Sequence, residues 1–323
     1  MKLSEMTALN RRQLLAVSAA SLAVLAGTKA NLSRADDPPS YTPSGDRTPT
    51  VFRHACMTLP YGEFPLERAL AGISDAGFRY VAWGVTHREA GGEKVPVMAE
   101  DAASSTAKEL ATRCRDLGLE PVMMFSTVYP EDPRALDVFR NRILQAEAAG
   151  IGQVLTFGHT EGGKAAVWVE RFKELGPIAG DHGVTIVVKQ HGGATGTGEA
   201  CAEIVREVDH PNVWVNYDAG NVMDYLNLDP ITDLQRCAAQ VRSFCVKDHR
   251  NWPADQDCGP GFGEIDHYRL FEPVAFTGLT MPLAYENISA PLLPRPTSPE
   301  VIDALARRSR EFLETVIAGL QQA

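Results

Sequence analysis

The stretch VTIVVKQHGGATGTGEA at residues 184–200 contains the pattern that decides the fold. It begins with Val184 to Val188, which are almost all apolar, as is typical of a parallel strand covered on both faces. The polar residues Lys189-Gln190-His191 end this run. A glycine-rich turn then leads into Glu199-Ala200 and a helical segment. We therefore interpret the stretch as one strand–loop–helix unit of a parallel α/β fold.

The same unit recurs along the chain from Val51 onward. Apolar runs that end in polar residues lie at 54–59, 79–86, 121–126, 153–158, 185–190, 213–218, 243–248 and 282–287. Eight such units in about 270 residues fit a (β/α)8 barrel. An open doubly wound sheet typically has a G-x-G-x-x-G turn after its first strand, and here residues 58–62 read TLPYG instead. The sequence therefore predicts an α/β fold, a (β/α)8 TIM barrel, as the catalytic domain over residues 51–323.

The first 35 residues predict an export signal. Arg11 and Arg12 precede a mildly apolar stretch that ends near Gly27 and is too diluted by Ser and Ala for a membrane anchor. The pair resembles a twin-arginine signal, so we expect a signal peptide at residues 1–35 and a periplasmic or otherwise exported protein. An uncleaved amphipathic N-terminus is the alternative. Residues 36–50, rich in Pro, Ser, Thr and Asp, predict an extended linker.

Composition and charge limit the class of partner. The chain has 31 Lys and Arg against 41 Asp and Glu, a net charge of −10, and the predicted signal peptide removes mostly cations. Such a surface argues against nucleic acid or an anionic membrane, because both are bound by clustered cations. We therefore expect a small-molecule ligand and leave a homo-oligomer open. The six cysteines include no C-x-x-C pair, and a dense disulfide framework is not expected in a core of this size.

Polar residues at the predicted strand ends are the candidate site residues, because the loops after the strands of a barrel meet at one mouth. They are Lys189, His191, Asp218, Asn221, Lys247, Asp248 and Glu286, with His159 after the fourth strand and Trp252 near the rim. Each has a structural alternative. Asp218 is placed to cap the next helix, Lys247 and Asp248 to pair with each other, and His159 to bond backbone or water. Buried charges are costly, so their joint occurrence favours a functional mouth.

These residues resemble the xylose-isomerase-like TIM barrels, a superfamily of sugar-phosphate isomerases, epimerases, inosose dehydratases and apurinic endonucleases. The resemblance covers most of residues 51–320. The pieces that carry it are the Gly/Thr-rich loop 192–198, Asp218, the VKD run at 246–248, GFGEID at 261–266 and YEN at 285–287. The resemblance implies a barrel enzyme with a carbohydrate substrate.

The resemblance also implies a metal site, from which this sequence departs. In that family a divalent metal is typically held by a Glu after the fifth strand, an Asp after the sixth, a His on the seventh and a Glu after the eighth. Asp218 and Glu286 match this pattern. Lys189 stands at the position of the first Glu, Cys245 at that of the His, and Asn221 where a second His often follows the Asp.

Two chemistries therefore stay open. In the first, Lys189 does the electrostatic work of a metal and stabilises an enolate-like oxygen, or it has a lowered pKa and acts as base or Schiff-base nucleophile. In the second, a weaker site of Asp218, Glu286, His191 and Asn221 holds Mn²⁺ or Mg²⁺, because oxygen-rich ligation suits these ions.

We predict an exported, carbohydrate-active isomerase, epimerase or lyase that abstracts a proton next to a carbonyl of a sugar or keto-sugar. Glu286 and Lys189 are the predicted acid/base pair, and Asp218 orients Lys189 or binds the metal. The predicted substrate-binding residues are His191, Asp248, Lys247, His159 and Trp252. A sugar-binding or catalytically inactive barrel is the alternative. An endonuclease-like metal-dependent hydrolase fits less well, because the chain is acidic and lacks the matching histidines.

Overall fold

The computed structural model of the protein describes residues 47–322, in which the barrel strands close into a cylinder. Numbered along the chain, the strands are β1 (Val51–Met57), β2 (Tyr80–Trp83), β3 (Thr86–Arg88), β4 (Lys94–Pro96), β5 (Glu120–Phe125), β6 (Gln153–Phe157), β7 (Thr185–Lys189), β8 (Val213–Tyr217), β9 (Val241–Val246), β10 (Asp248–Arg250), β11 (Gln256–Cys258) and β12 (Thr280–Tyr285). The barrel order is β1, β12, β9, β8, β7, β6, β5 and β2, and neighbouring strands are parallel. The predicted (β/α)8 barrel is confirmed. The predicted signal peptide and most of the predicted linker lie outside the described residues.

Helices connect the barrel strands. They are α1 (Leu66–Asp75), α2 (Ser104–Asp116), α3 (Ala135–Ala149), α4 (Ala165–Asp181), α5 (Gly198–Val208), α6 (Ala219–Leu226), α7 (Pro230–Cys237), α8 (His267–Phe271) and α9 (Pro299–Gln322). Short 3-10 turns lie at Leu59–Tyr61, Ala238–Gln240 and Glu272–Val274. Local sequence sets their ends: Asp229 caps α7 with Pro230 at its first position, and Gly150 ends α3 at a φ of 75°. No helix of the described part is long and apolar enough to cross a membrane.

Two antiparallel hairpins extend beyond the barrel, and the sequence did not predict them. Strands β3 and β4 pair with each other after β2, and β10 and β11 pair after β9. The predicted strand 79–86 therefore ends at Trp83, and the predicted strand 243–248 ends at Val246. In the second hairpin His249 lies opposite Asp257. This pairing brings Asp257 back to the mouth of the barrel, where it meets Lys247.

The barrel interior explains why charged residues form one layer at the mouth. Small and apolar side chains fill the interior, including Val187 of β7, Cys245 of β9 and Ala284 of β12. Alternate residues of a strand point to the same face. Two positions after each of these three interior residues comes a charged residue, namely Lys189, Lys247 or Glu286. The charged side chains therefore point into the next layer of the interior, at the mouth of the barrel.

The six cysteines all lie in the described part, and there they are buried and form no disulfide.

Candidate functional site

The site is centred on Lys189, whose ammonium joins two carboxylates from the ends of two other barrel strands. Lys189 ends β7, Asp218 follows β8, and Glu286 follows β12. Lys189 Nζ donates hydrogen bonds to Glu286 Oε1 at 2.9 Å and Oε2 at 2.8 Å. The same nitrogen lies 3.2 Å from Asp218 Oδ2. The structure thus brings together the three residues that the sequence placed at separate strand ends.

A second ammonium, that of Lys247, lies beside the same carboxylates. Lys247 Nζ is 3.7 Å from Asp218 Oδ2, 3.9 Å from Glu286 Oε2 and 3.1 Å from Asp257 Oδ2. Its side chain runs over Gly220, where an added Cβ would lie 2.6 Å from Lys247 Cγ. Lys247 therefore pairs with Asp257, and not with Asp248 as the structural alternative held. Asp257 was missed in the sequence, because only the β10–β11 pairing brings it near.

The charges of the cluster set the protonation of Lys189. Burial by itself lowers the pKa of Lys189, but the nearby charges of Glu286 and Asp218 outweigh burial and raise that pKa well above its usual value. Lys189 is therefore an ammonium in the resting protein. This arrangement of charges does not favour the lowered pKa that a role as neutral base or Schiff-base nucleophile needs.

The two carboxyl groups differ in pKa. Burial raises the pKa of Glu286, but the ammoniums of Lys189 and Lys247 lower it more strongly, to about 2. Burial raises the pKa of Asp218 to about 6, although Lys247 and Lys189 oppose this shift. Glu286 is therefore ionised at neutral pH, and Asp218 is the carboxyl group whose pKa lies closer to neutral pH.

Asp218 is held by a short hydrogen-bond network. It caps α6, because its Oδ1 accepts from the backbone N–H of Asn221 at 3.0 Å. Its own backbone N–H donates to Gln190 Oε1 at 2.8 Å, and Asn221 Nδ2 donates to the Gln190 carbonyl at 2.6 Å. The capping alternative for Asp218 and its place in the charged cluster are therefore compatible.

The two predicted histidines lie to one side of the cluster. His191 Nδ1 lies 2.7 Å from the Gly158 carbonyl, so Nδ1 carries the hydrogen and donates it. The His191 ring lies between Phe157 and Tyr225, with centroids 4.8 and 5.3 Å away, and burial, followed by the Lys189 charge, lowers its pKa. His159 is half-buried against Tyr129, at 3.9 Å between ring centroids. The histidine ion pairs within residues 47–322 are those of His182, His249 and His267, so neither imidazole takes part in one.

Asp248 has surroundings that differ from the prediction, whereas Trp252 lies where the sequence placed it. Asp248 is fully buried, and its two oxygens accept four backbone N–H groups, those of His249, Gly261, Gly263 and Ile265. With its oxygens occupied in this way, Asp248 anchors the loop at 259–265. The assignment of Asp248 to substrate hydroxyls is corrected accordingly. Trp252 lies on the β10–β11 turn with 76% of its surface exposed, on the rim.

A cavity of about 480 Å³ opens beside the cluster. Glu286, Asn287 and Asp257 line it on the side of the cluster, and Glu63, Lys94 and Arg295 are among its other charged lining residues. The Glu286 side chain is 16% exposed, whereas those of Lys189 and Asp218 are 2% and 0% exposed. Of the two carboxylates next to Lys189, Glu286 is thus the one that a ligand in this cavity would touch. His159, His191 and Trp252 do not line the cavity formed by the described residues.

Two groups of side chains in the described part have donor atoms close enough together for a metal ion. The donor atoms lie within 4.8 Å of one another in both groups, Asp218-Cys245-Glu286 and Asp224-His249-Asp257. In the first group, the Lys189 ammonium already lies between the two carboxylates. His191, a member of the predicted set, belongs to neither group. His191 Nδ1 and Asn221 Nδ2 donate to backbone carbonyls, which leaves His191 Nε2 and Asn221 Oδ1 as the atoms that could face an ion.

Comparison with known proteins agrees with this architecture. The model of the xylose isomerase-like TIM barrel family matches residues 70–314. The chain belongs to this family. No curated protein matches the chain closely enough to supply an activity.

Solved structures of the family share the fold. A xylose isomerase-like TIM barrel protein from Mycobacterium smegmatis, solved in complex with magnesium, is 16% identical with a TM-score of 0.65, over 85% of this chain and 98% of that one. An L-ribulose 3-epimerase is 17% identical with a TM-score of 0.62, over 85% and 96%. A fusion of such a barrel with 4-hydroxyphenylpyruvate dioxygenase is 20% identical with a TM-score of 0.60, over 82% of this chain but 44% of the fusion protein. At these identities the similarity shows the shared fold.

Proposed function

We propose that the protein is a carbohydrate-active isomerase, epimerase or lyase that moves a proton next to a carbonyl group of a sugar or keto-sugar. The observation that carries this proposal is the Glu286 carboxylate, which faces the cavity while both its oxygens accept from a buried ammonium. A carboxylate beside a fixed positive charge suits proton abstraction, because the ammonium stabilises the oxyanion that forms. Membership of the xylose isomerase-like family supports the same class.

Glu286 is the proposed base and Lys189 the proposed electrostatic partner. With a pKa of about 2, Glu286 is a weak base while Lys189 is bound to it. Lys189 does not line the cavity, so a substrate carbonyl oxygen accepts one of its N–H groups only by displacing an oxygen of Glu286, and Glu286 then loses a hydrogen bond. The pKa of Glu286 then rises, because that bond favours its charged form. Substrate binding thus makes Glu286 more basic and places the ammonium on the oxygen where negative charge develops.

Asp218 has a positioning role in this scheme. Its Oδ2 lies 3.2 Å from Lys189 Nζ, and its Oδ1 is fixed as the cap of α6. The negative charge of Asp218 therefore keeps Lys189 protonated when the contact with Glu286 is exchanged for the substrate.

The test is hydrogen exchange at carbon. The protein is incubated in D₂O with a panel of aldoses, ketoses and keto-sugars, and deuterium next to the carbonyl is followed by NMR. We expect exchange with at least one sugar, and a rate about 10²-fold lower for Glu286→Gln. The matched control is Glu199→Gln, a partly exposed glutamate on α5 paired with Arg206, which keeps the rate. Thermal stabilisation by a sugar without exchange or product would instead support the sugar-binding barrel.

We also propose that residues 1–35 direct export by the twin-arginine route and that residues 36–50 link the signal to the barrel. The support is the Arg11-Arg12 pair ahead of a mildly apolar stretch. Changing both arginines to lysine keeps the charge but removes the feature that the receptor reads. We expect the double variant to stay in the cytoplasm. An unchanged periplasmic amount would contradict the twin-arginine route.

A further inference from the structure

We infer that the Lys189 ammonium replaces a divalent cation between Asp218 and Glu286, so that this chain binds no metal ion at that position. The inference concerns the occupant of the site and does not depend on the reaction proposed above. It follows from the space around Nζ, from the charges of the cluster and from the state of the remaining donor groups.

The space around the carboxylates is already filled. Lys189 Nζ lies 2.8 to 3.2 Å from Glu286 Oε2 and Asp218 Oδ2. A Mg²⁺ ion bound to the same oxygens at about 2.1 Å would occupy the same space as this nitrogen. Its positive charge would also repel the ammonium strongly at such a distance. The ion and the ammonium therefore exclude each other.

Lys189 has little room to withdraw. Its side chain is 2% exposed, and Nζ lies 5.8 Å from the centre of the Phe157 ring. Its hydrogen bonds within the described residues go to the two oxygens of Glu286. Withdrawal would leave a buried ammonium without these bonds, which is costly.

The charge of the cluster is balanced without a metal ion. The ammoniums of Lys189 and Lys247 lie among the carboxylates of Asp218, Glu286 and Asp257. With every group ionised, these five side chains carry a single net negative charge. A dication would reverse its sign and add a second repulsion, from Lys247.

The charged donors next to Nζ offer no set that leaves Lys189 aside. Asp218 and Glu286 are these donors, and both lie within ion-pair distance of Nζ. Cys245, the third member of the geometric group, is a residue of the barrel interior beneath them.

The experiment measures Mn²⁺ binding, not turnover. The other geometric group, Asp224-His249-Asp257, would confuse the result, so all measurements use the Asp224→Asn background. Asp224 is exposed, and its replacement leaves Asp218, Glu286 and Lys189 in place. Chelator-treated protein is titrated with Mn²⁺ and followed by the EPR signal of the free ion and by calorimetry.

We expect Asp224→Asn to bind no Mn²⁺ that depends on Glu286. Adding Lys189→Gln or Lys189→Glu should create a site that binds Mn²⁺ at least about 10-fold more tightly than the Asp224→Asn protein does. Adding Glu286→Gln should remove this site again. Glu286-dependent Mn²⁺ binding by the protein that retains Lys189 would overturn the inference. Folded Lys189 variants that both fail to bind would also overturn it, because the ammonium would then not be what excludes the ion. Neither result bears on sugar turnover, so failure here is distinct from failure of the proposed function.

Discussion

Lys189 and Arg142 are both buried cations, but their surroundings differ. Their exposed fractions are 2% and 1%. The Arg142 guanidinium, on α3, donates to the carbonyl of Met98 at 2.8 Å and to Gln145 Oε1 at 2.7 Å. It forms no ion pair within residues 47–322, whereas Lys189 is surrounded by carboxylates beside a cavity. Burial of a charge alone therefore does not indicate chemistry; the partners and the access to a ligand do.

The pKa shifts of the two cations differ in the same way. Burial lowers the pKa of Arg142 to about 10, which leaves the side chain charged at neutral pH. The neutral acceptors around it tie the segment at 98–99 to α3. The partners of Lys189 instead raise its pKa and lower that of Glu286. We therefore expect substitution of Lys189 to affect activity and substitution of Arg142 to affect stability.

The largest effect is expected for Lys189→Met, which removes the charge and keeps most of the side-chain volume. We expect kcat/KM for the sugar found by the exchange assay to fall by about 10²-fold or more, because the developing oxyanion loses its ammonium. Lys173→Met, at an exposed position on α4, is the control and should keep its activity.

The double variant Lys189→Met/Asp218→Asn removes one charge of each sign and should be equally inactive. It separates loss of the ammonium from the effect of an unbalanced carboxylate. Full activity of Lys189→Met would show that Lys189 is a structural counter-ion.

The second effect is on stability. Arg142→Met leaves the Met98 carbonyl and Gln145 Oε1 without their donor, so we expect the free energy of unfolding to fall by about 3 kcal/mol. Urea denaturation measures this change, and kcat/KM of the folded protein should stay the same. Arg140→Met on the same helix is the control, because Arg140 is exposed and pairs with Glu174. If Arg142→Met lost activity but kept its stability, the contrast drawn between Arg142 and Lys189 would be wrong.

A smaller effect is expected for Asp248→Asn, which tests whether a mouth residue is structural. Asparagine has one acceptor oxygen where Asp248 uses two for four backbone N–H groups. We expect the free energy of unfolding to fall by about 2 kcal/mol and amide exchange to speed up at residues 261–265. The loss in kcat/KM should be far smaller than that of Lys189→Met. An equally large loss would return Asp248 to the substrate-binding residues.

The last expected effect is a pH dependence of stability. The pKa of Asp218 is raised from its usual 3.8 to about 6, so the native state binds this proton more tightly than the unfolded state. Stability from Asp218 is therefore present at low pH and lost as the pH rises from about 4 to about 6. Asp218→Asn should lack this loss, so its stability relative to the unchanged protein should increase across that range. Melting curves at several pH values measure the difference, and parallel curves for the two proteins would contradict it.

The contribution of Glu286 to stability depends on pH in the opposite direction, and this difference distinguishes its effect from that of Asp218. Its pKa is lowered from its usual 4.5 to about 2, so its contribution is present above about pH 4.5. That contribution is lost as the pH falls toward 2. The two carboxyl groups thus act in adjacent pH ranges with opposite signs.

The sequence by itself determined the barrel and the position of its central residues. Runs such as Val184 to Val188 alternate with helical segments, and this local pattern suffices to predict parallel strands. The convergence of Lys189, Asp218 and Glu286 follows from topology, because the carboxyl ends of barrel strands meet at one mouth. These predictions needed only the local pattern and a general rule of the fold.

Only the tertiary structure decided what these residues can do. Lys189 and Glu286 are 97 positions apart, and their contact sets the pKa of both. Asp257 reaches Lys247 through a hairpin that no local pattern revealed, and Asp248 is occupied by a loop that follows it in the chain. A pKa depends on burial and on charges within a few ångströms, and these come from distant segments of the chain. Protonation, access to the cavity and the occupant of the cation position are therefore properties of the folded chain.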